Sequence, residues 1–466
     1  MKIAFCTLGC KLNFAESSAI GKALLGLGHV RAKQGEAADV VVLNTCSVTD
    51  TADHKGRQAI HRLRRQHPQA VLIVTGCYAA LKGQEIIAMP EVDYVVGANE
   101  KDRVVEIIKE VDKRLKSADA ETLETKVTSP SSCVLHPSSP KETFFPACSW
   151  DDRTRCFLKV QDGCNYFCTY CTIPLARGRS RNASIADIVA QAEQALRDGA
   201  KEIVLTGVNI GDFGRSTGER FIDLLRALDE LGTLPTPPYK GGSRGNSFDL
   251  YASETKVISP SSCVLHPSSY PYRLRISSCE PNLLTDEVID FVANSKHFAP
   301  HFHIPLQSGN NEMLKIMHRH YDRELFAERV AHIRERMPNA FIGVDCMVGV
   351  RGETEERWED YLAFVKQLDV SQLHVFTYSE RANTRMLEMD LYVVPKKERE
   401  RRSKILHAVS AEKLQAFYAK HQGEEATVLW EGKKEDGMMA GFTENYIKVH
   451  APYDKAKVNT FEVVRI

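Results

Sequence analysis

Short apolar runs alternate with longer amphipathic stretches through the first 116 residues. The runs at 2–7, VVVLN and VLIVTG are each followed by a stretch with helical periodicity, and residues 92–114 form a fourth unit of the same kind. Near-continuous apolar strands separated by helices are typical of a parallel sheet that is buried on both faces. The pattern therefore predicts an open parallel α/β domain over residues 1–116.

A second and longer series of the same kind begins near residue 151. Strands are predicted at 155–160, 202–206, 273–277, 301–304, 340–347 and 371–376. The amphipathic helices between them are predicted at 184–198, 220–231, 285–295, 310–318, 322–336 and 354–368. Six such units predict a partial (β/α)6 barrel over residues 151–395, and barrels of this kind carry their site at the carboxyl ends of the strands.

Two stretches without periodicity interrupt these series. Residues 117–150 predict a linker, and residues 232–271 predict an insertion in the barrel. Segments 124–139 and 254–269 within them differ at one position only. They contain Cys-His pairs, which we interpret as parts of insertions without a catalytic role: Cys133 with His136, and Cys263 with His266.

The last seventy residues change character. Residues 396–421 predict a charged connecting helix, and residues 422–466 contain short β-like runs separated by turn residues. Such runs predict a small antiparallel β-barrel, a fold that often carries nucleic acid across one face. Phe442, Tyr446 and Lys448 are candidates for that face. The alternative is a stabilising or dimerising cap.

Composition narrows the choice of function. Lys plus Arg and Asp plus Glu number 61 each, so no overall basic field indicates a nucleic-acid partner. No stretch has the roughly 20 apolar residues of a membrane span, and no signal peptide is recognisable, so we expect a cytoplasmic protein without membrane association. The 13 cysteines are then more typical of metal binding or catalysis than of disulfides.

Cys164, Cys168 and Cys171 form a compact C-x3-C-x2-C motif. A structural zinc site needs a fourth ligand, and no Cys or His follows within the next thirty residues. A [4Fe-4S] cluster held by three thiolates instead leaves one iron free for an outside ligand. The alternatives are a zinc knuckle with a remote fourth ligand and a chance grouping.

A second, dispersed trio lies in the N-terminal domain. Cys10, Cys46 and Cys77 each follow the carboxyl end of a predicted strand, where the loops of a parallel sheet converge. The three thiols could therefore meet at a second metal site. The alternative is that they are inert buried cysteines.

With both trios, the chain resembles the radical S-adenosylmethionine (SAM) methylthiotransferases, over nearly all of its length outside the two insertions. The resemblance implies an auxiliary [4Fe-4S] cluster on the dispersed trio, a SAM-binding [4Fe-4S] cluster on the compact trio, and a C-terminal TRAM barrel. The motifs TLGCKLN and TIPLARGRSR are most similar to the branch that acts on N6-threonylcarbamoyladenosine (t6A) at position 37 of tRNA. The isopentenyladenosine branch more typically has Gln in place of Lys11.

The resemblance also implies a mechanism and partners. An electron cleaves SAM to a 5′-deoxyadenosyl radical, which attacks the C2-H bond of the adenine, and the auxiliary cluster supplies a methylated sulfur. The implied partners are a tRNA anticodon loop, a reducing electron donor and a sulfur source. We expect RNA contacts from Arg177, Arg179 and Arg181, in addition to the C-terminal candidates.

Polar or Gly-containing loops follow successive barrel strands, as a shared pocket requires. The residues that we expect to line its SAM site are Tyr170, Gly207, Asn209, Glu280, Gln307, Ser308 and Gly349. Two positions depart from the family pattern: VGVRGE at 348–353 replaces VGFPGE, and the glycine usual near Asn383 is absent.

Three alternative functions stay open from the sequence. The same chemistry could act on isopentenyladenosine in tRNA or on a ribosomal protein. The chain could instead be a non-catalytic iron-sulfur module for redox transfer or RNA binding.

Overall fold

The structure is a computed structural model that describes residues 1–33, 35–117, 144–149, 154–231 and 272–466. The duplicated segments 124–139 and 254–269, with their Cys-His pairs, lie outside the described residues, as does the insertion 232–271.

The N-terminal part is a five-stranded parallel sheet with the strand order β2-β1-β3-β4-β5. Its strands are β1 (Lys2–Thr7), β2 (Val30–Arg31), β3 (Val40–Thr45), β4 (Val71–Gly76) and β5 (Tyr94–Gly97). Its helices are α1 (Lys11–Gly26), α2 (Asp50–Gln66), α3 (Cys77–Ile87) and α4 (Asp102–Ser117). Every residue of β3 is buried, as expected for a central strand covered on both faces. The predicted open parallel α/β fold is confirmed.

The central part contains six parallel strands in two groups, β7-β10-β11 and β12-β13-β14. Their bounds are β7 (Arg155–Lys159), β10 (Glu202–Thr206), β11 (Arg273–Ile276), β12 (His301–Gln307), β13 (Phe341–Val348) and β14 (Gln372–Thr377). The two groups meet at a loose seam, where isolated parallel bridges join Leu274 to Phe298 and Ser278 to His303. This arrangement is the predicted partial (β/α)6 barrel.

The helices of the barrel begin and end within two residues of the predicted positions. They are α6 (Ile185–Arg197), α7 (Phe221–Asp229), α8 (Asp286–Asn294), α9 (Asn311–Ile316), α10 (Arg323–Arg336) and α11 (Glu355–Gln367). Alternate strand residues such as Leu158, Leu205 and Ile304 pack beneath them in one hydrophobic core. The intervening side chains, many of them polar, face the interior of the barrel.

Several short elements were not predicted. Strand β6 (Cys148–Ser149) pairs antiparallel with β7, and β8 (Gln161–Asp162) pairs with β9 (Arg181–Asn182) to form a hairpin around the compact cysteine motif and α5 (Ile173–Arg177). A disulfide joins Cys148 to Cys156. For this pair, the expectation that the cysteines serve metals or catalysis rather than disulfides is wrong.

The C-terminal part follows the long helix α12 (Lys396–Lys420) and is an antiparallel sheet with the order β17-β16-β15-β18. The strands are β15 (Glu425–Glu435), β16 (Met438–Phe442), β17 (Lys448–Pro452) and β18 (Phe461–Arg465). Among the described residues, no helix has both the length and the apolar character that crossing a membrane requires.

The turn between β16 and β17 closes the lower end of the barrel, where the strands begin. Arg273 donates to the carbonyl of Phe442 at 3.1 Å, and Arg275 donates to the carbonyl of Glu444 at 3.1 Å. Arg155 donates to the hydroxyl of Tyr446 at 3.0 Å. Because Arg155 and Arg273 are the first residues of β7 and β11, these contacts place the C-terminal sheet beneath the barrel.

The N-terminal sheet covers the open side of the barrel. Ala15 of α1 packs against Phe157 and Val204, which lie on β7 and β10. On the other flank Arg381, which follows β14, donates to Ser47 and Asp53 at 2.8 Å each. Both contacts bring the loop edge of the N-terminal sheet to the barrel.

Candidate active site between two cysteine trios

The dispersed trio lies at the carboxyl edge of the N-terminal sheet. Cys10 immediately precedes α1, Cys46 follows β3, and Cys77 begins α3 directly after β4. The three thiols are close enough to influence one another electrostatically. The backbone is tight here: Gly9 has a φ of +113°, and a Cβ on it would lie 2.7 Å from the Cβ of Cys46.

Cys10 is exposed, and burial acts on the thiols of Cys46 and Cys77. It raises the pKa of Cys46 to about 11, and the neighbouring Cys77 and Cys10 add to the rise. Burial also raises the pKa of Cys77, although Arg177 opposes it by donating from Nε to the Cys77 sulfur at 3.3 Å. Thiols buried in this way become thiolates only beside positive charge, which a metal centre provides.

A buried ionic network joins this trio to the barrel. Arg177 donates to Glu16 of α1 at 2.9 Å, to Asp162 at 3.0 Å and to Asn13 at 2.8 Å. Lys159 donates to Glu16 at 2.9 Å and to Asp162 at 2.7 Å.

Two further cations complete the network. Lys101 pairs with Glu16, and Arg181 donates to Asp162 at 3.0 Å. All of these side chains are buried. Four cations therefore face two carboxylates, and the positive excess lies beside Cys77, where it suits the negative charge that three thiolates bring to an iron-sulfur cluster.

The compact trio lies in the loop between β8 and α5. The loop is held from both sides, since Cys164 donates its N–H to the carbonyl of Gly178 at 3.1 Å and Cys171 donates to the carbonyl of Cys168 at 3.0 Å. Burial raises the pKa of Cys164 to about 11 and that of Cys171 to about 12, with Cys168 adding to both.

Arg319 is the guanidinium partner of this second trio. It donates to the Cys168 sulfur and to the Tyr170 hydroxyl at 3.2 Å each, and it pairs with Glu280. Each trio thus has one arginine that donates to a cysteine sulfur, the kind of contact that would adjust an iron-sulfur cluster held there.

Both trios therefore fit iron-sulfur clusters. Throughout the part of the chain that the structure describes, no three His, Cys, Asp or Glu side chains converge on a point that would hold a single metal ion. The cysteines of a [4Fe-4S] cluster bind different irons, so the thiols of a trio need not converge on one point.

The predicted SAM residues fall into two groups. Tyr170 and Glu280 meet through Arg319, next to the compact trio. Asn209 is buried above β10, and neither polar atom of its amide has a hydrogen-bond partner among the described residues. Gly207 lies beside Gln161, whose backbone oxygen would be 3.0 Å from an added Cβ.

The remaining SAM candidates lie on the other half of the barrel. Gln307 ends β12 with a φ of +64°, and Ser308 beside it is buried. Gly349 packs against Arg399 of α12 and has a φ of +74°. These two features are sufficient reason for a glycine at this position, so its presence does not require a bound SAM. Asn383 has a φ of +64°, a conformation that Asn tolerates, so it can replace the usual glycine.

The structure corrects two of the predicted RNA-facing positions in the cysteine loop. Arg177 and Arg181 are buried in the ionic network, because Glu16 and Asp162 need cations as partners. Arg179 is exposed, and its guanidinium carbon lies 5.7 Å from the ring centre of Phe167.

A similar correction applies to the C-terminal sheet. Phe442 and Tyr446 stack on each other at 4.7 Å and pack against Arg155 at the lower end of the barrel, instead of forming an RNA-facing surface. Lys448 alone of the three is exposed.

Several site residues were missed from the sequence. Glu16 lies on α1, far in sequence from its barrel partner Lys159, and Lys101, which also pairs with Glu16, immediately precedes α4. Only Asp162 had a signal, because it directly precedes the Gly163-Cys164 pair. Arg319 and Arg381 lie outside any recognisable spacing pattern.

Comparison with known proteins identifies the class. Residues 158–365 match the Radical SAM superfamily, and residues 2–97 match the family described as Uncharacterized protein family UPF0004. The protein is therefore a radical SAM protein with an additional N-terminal domain.

Full-length relatives identify the family. The chain is 35% identical to Threonylcarbamoyladenosine tRNA methylthiotransferase MtaB of Bacillus subtilis, over 96% of this chain and 89% of the relative. It is 33% identical to the MtaB protein of Aquifex aeolicus, over 96% of both chains. It is 29% identical to tRNA-2-methylthio-N(6)-dimethylallyladenosine synthase of Clostridium botulinum, over 99% of this chain and 93% of the relative. The chain belongs to the radical SAM methylthiotransferase family, as its motifs predicted.

A solved structure has the same fold at low sequence identity. The radical SAM methyltransferase TsrM from Kitasatospora setae aligns with a TM-score of 0.52 and 15% identity, over 81% of this chain and 74% of that one.

Proposed function

We propose that this enzyme transfers a methylthio group to C2 of N6-threonylcarbamoyladenosine at position 37 of tRNA. The observation that carries the proposal is the pair of cysteine trios, which the Glu16–Arg177–Asp162 network links across one interface. Four relatives named for threonylcarbamoyladenosine tRNA are 29 to 35% identical, and three of them exceed the 28 to 29% of those named for dimethylallyladenosine. This difference favours the t6A substrate.

Each trio would hold one [4Fe-4S] cluster. Cys164, Cys168 and Cys171 would leave one iron for SAM, and the auxiliary cluster would lie on Cys10, Cys46 and Cys77. When bound, these groups supply the radical that activates the C2-H bond and the sulfur that replaces the hydrogen.

The chain itself would hold the cysteine ligands in place through two arginines. Arg177 and Arg319 each donate to a cysteine sulfur, and the carboxylates Glu16 and Glu280 hold the two guanidinium groups in place. The buried amide of Asn209, which lies beside the Tyr166 hydroxyl, is available to a polar group of SAM. A buried amide without hydrogen-bond partners destabilises the protein, and a ligand that bonds to it removes this cost.

The tRNA would bind by its anticodon loop, whose unstacked bases can enter a pocket. In the cysteine loop, exposed Arg179 and Phe167 offer a cation and a ring at the surface, and Leu175 beside them is also exposed. Lys448 offers a further charge on the C-terminal sheet, which we assign to a TRAM barrel. A reducing electron donor and a sulfur source would act as partners.

Nucleoside mass spectrometry of tRNA from a deletion strain tests the function directly. We expect the 2-methylthio form of t6A to disappear and the wild-type gene to restore it. Cys46→Ala and Cys168→Ala should each fail to restore it, while the surface variant Glu36→Gln should succeed. The proposal would be overturned if the deletion strain kept the 2-methylthio form of t6A and instead lost a methylthio group from isopentenyladenosine or from a ribosomal protein.

The purified enzyme tests the two clusters separately. Replacing all three cysteines of one trio by alanine should halve the iron content after anaerobic reconstitution. Reductive cleavage of SAM should survive loss of the dispersed trio and stop with loss of the compact trio. A wild-type protein that binds only one cluster would contradict this assignment.

A further inference from the structure

Lys11 points into the interior of the barrel from the N-terminal sheet. It is the first residue of α1, one helical turn before Ala15, and residues four apart lie on the same helix face. Ala15 packs on Phe157 and Val204, which face the barrel interior from β7 and β10. The side chain of Lys11 therefore enters the barrel through its open side.

The ammonium group of Lys11 has no counter-ion of its own. Within the described ranges, the side chain of Lys11 makes neither a hydrogen bond nor an ion pair. Its electrostatic neighbours come from the barrel and the C-terminal turn: Arg155, Glu202, Arg275, His301, His374 and Tyr446.

The carboxylates near Lys11 already have partners. Glu202 accepts from both Arg273 and Arg275, and Glu431 pairs with Arg155 at 2.9 Å. The interior around Lys11 is therefore short of negative charge, and a partly buried cation in that position attracts an anion.

The opposite wall of this interior is also polar. His303 lies 2.7 Å from the Asp345 carboxylate and 4.9 Å, between ring centres, from His374. Gly343 leaves room for His374, because an added Cβ would lie 3.1 Å from the His374 Nε2 atom. These groups offer hydrogen-bond donors to a polar ligand.

The position of Lys11 relates this charge to the substrate. Cys10 and Lys11 are consecutive, so their α-carbons lie about 3.8 Å apart. An adenine whose C2 reaches a cluster on Cys10 has its N6 substituent on the same six-membered ring, within reach of a long lysine side chain. The threonylcarbamoyl substituent ends in a carboxylate.

We propose that Lys11 is the residue that selects the substrate, by pairing with the carboxylate of the threonylcarbamoyl group inside the barrel. This inference rests on the proposed t6A function. A site built around an unpaired cation rejects an uncharged analogue, because the cation then stays without a partner.

The test compares an acid with its ester in the holoenzyme. Wild type, Lys11→Met and Lys22→Met are assayed anaerobically with t6A-containing tRNA and with the same tRNA carrying the methyl ester of the threonyl carboxylate. Lys22 is a surface residue of the same helix and provides the matched control. Both KM and the equilibrium Kd for tRNA are measured, with iron and sulfide content for each variant.

We expect the ester to raise KM and Kd of the wild type roughly 10- to 100-fold, the effect of one charged hydrogen bond. Lys11→Met should show the same loss on the acid and should no longer distinguish acid from ester. Lys22→Met should behave as the wild type.

Equal KM for acid and ester in the wild type would overturn the inference, and that comparison needs no variant. A Lys11→Met enzyme that still prefers the acid would also overturn it. The proposed function fails in a different way: the wild type would then methylthiolate neither form and would bind t6A-containing tRNA no better than tRNA with unmodified adenosine.

Discussion

Glu16 holds the N-terminal sheet on the barrel, and its removal should loosen that interface. It is completely buried and its carboxylate meets three cations: Lys101, Lys159 at 2.9 Å and Arg177 at 2.9 Å. In Glu16→Gln the amide keeps the size of the side chain but leaves Asp162 as the only carboxylate of the network. Leaving buried charges uncompensated in this way costs about 3–5 kcal/mol.

The matched control is Glu36→Gln, which breaks a surface pair with Lys2 whose two side chains are 35% and 51% exposed. Exposed pairs contribute about 0–1 kcal/mol. The two variants differ in burial and not in the chemistry of the substitution.

Hydrogen exchange measured by mass spectrometry reports the interface. The described tryptophans, Trp358 and Trp430, lie in the barrel and the C-terminal sheet, so their fluorescence would not follow the N-terminal part. We expect the amides of α1 in Glu16→Gln to exchange roughly two to three orders of magnitude faster than in the wild type. Equal exchange in Glu16→Gln and Glu36→Gln would refute the assignment of the docking energy to this network.

Three further predictions concern other contacts. Burial opposes ionisation of Glu202, but Arg275 and Arg273 lower its pKa to about 2, below the ordinary 4.5. The stability that Glu202 contributes is therefore present above pH 4.5 and falls by roughly 3 kcal/mol as the pH decreases toward 2. Denaturant unfolding should show this loss in the wild type and not in Glu202→Gln. Gly163→Ala should empty the compact trio of iron, because the added methyl meets the backbone carbonyl of Arg179, whereas Gly28→Ala, also at positive φ but in open space, should keep its iron. Arg381→Ala should destabilise the interface by about 3–5 kcal/mol, because it leaves buried Asp53 without its cation. The same exchange assay measures this loss, and unchanged exchange in α2 would contradict it.

The strands and helices were predictable because their apolar periods are long and regular. The predicted strand 202–206 and the observed Glu202–Thr206 coincide, and the helix predicted at 184–198 differs by one residue at each end. Glycine and polar residues between the periodic segments indicated the loops, and the cysteines within those loops identified both trios. Local sequence was sufficient for these features because neighbouring residues determine them.

The pairing of charges across the interface could not be predicted. Arg177 looked like an RNA contact because it lies in a basic run, yet its partners Glu16 and Asn13 are more than 160 positions away in the chain. Tyr446 looked like part of an RNA-facing sheet, yet its φ of +65° turns it beneath the barrel toward His301. Such pairings depend on how separately folded parts dock, and periodicity carries no information about docking.

Docking also determines how a substrate can enter. The C-terminal turn closes the lower end of the barrel through Arg155, Arg273 and Arg275, and α1 fills the open side through Ala15. Among the residues that the structure describes, the end where the strands finish and where both cysteine trios lie is the route left open to a base. An adenine that enters by that path passes between the trios before its N6 substituent can reach Lys11, so the carboxylate contact would form only once C2 faces the auxiliary site. A substituent without a carboxylate would make the same passage and find no partner for the cation. The enclosed interior thus couples recognition of the substituent to placement of the reacting carbon.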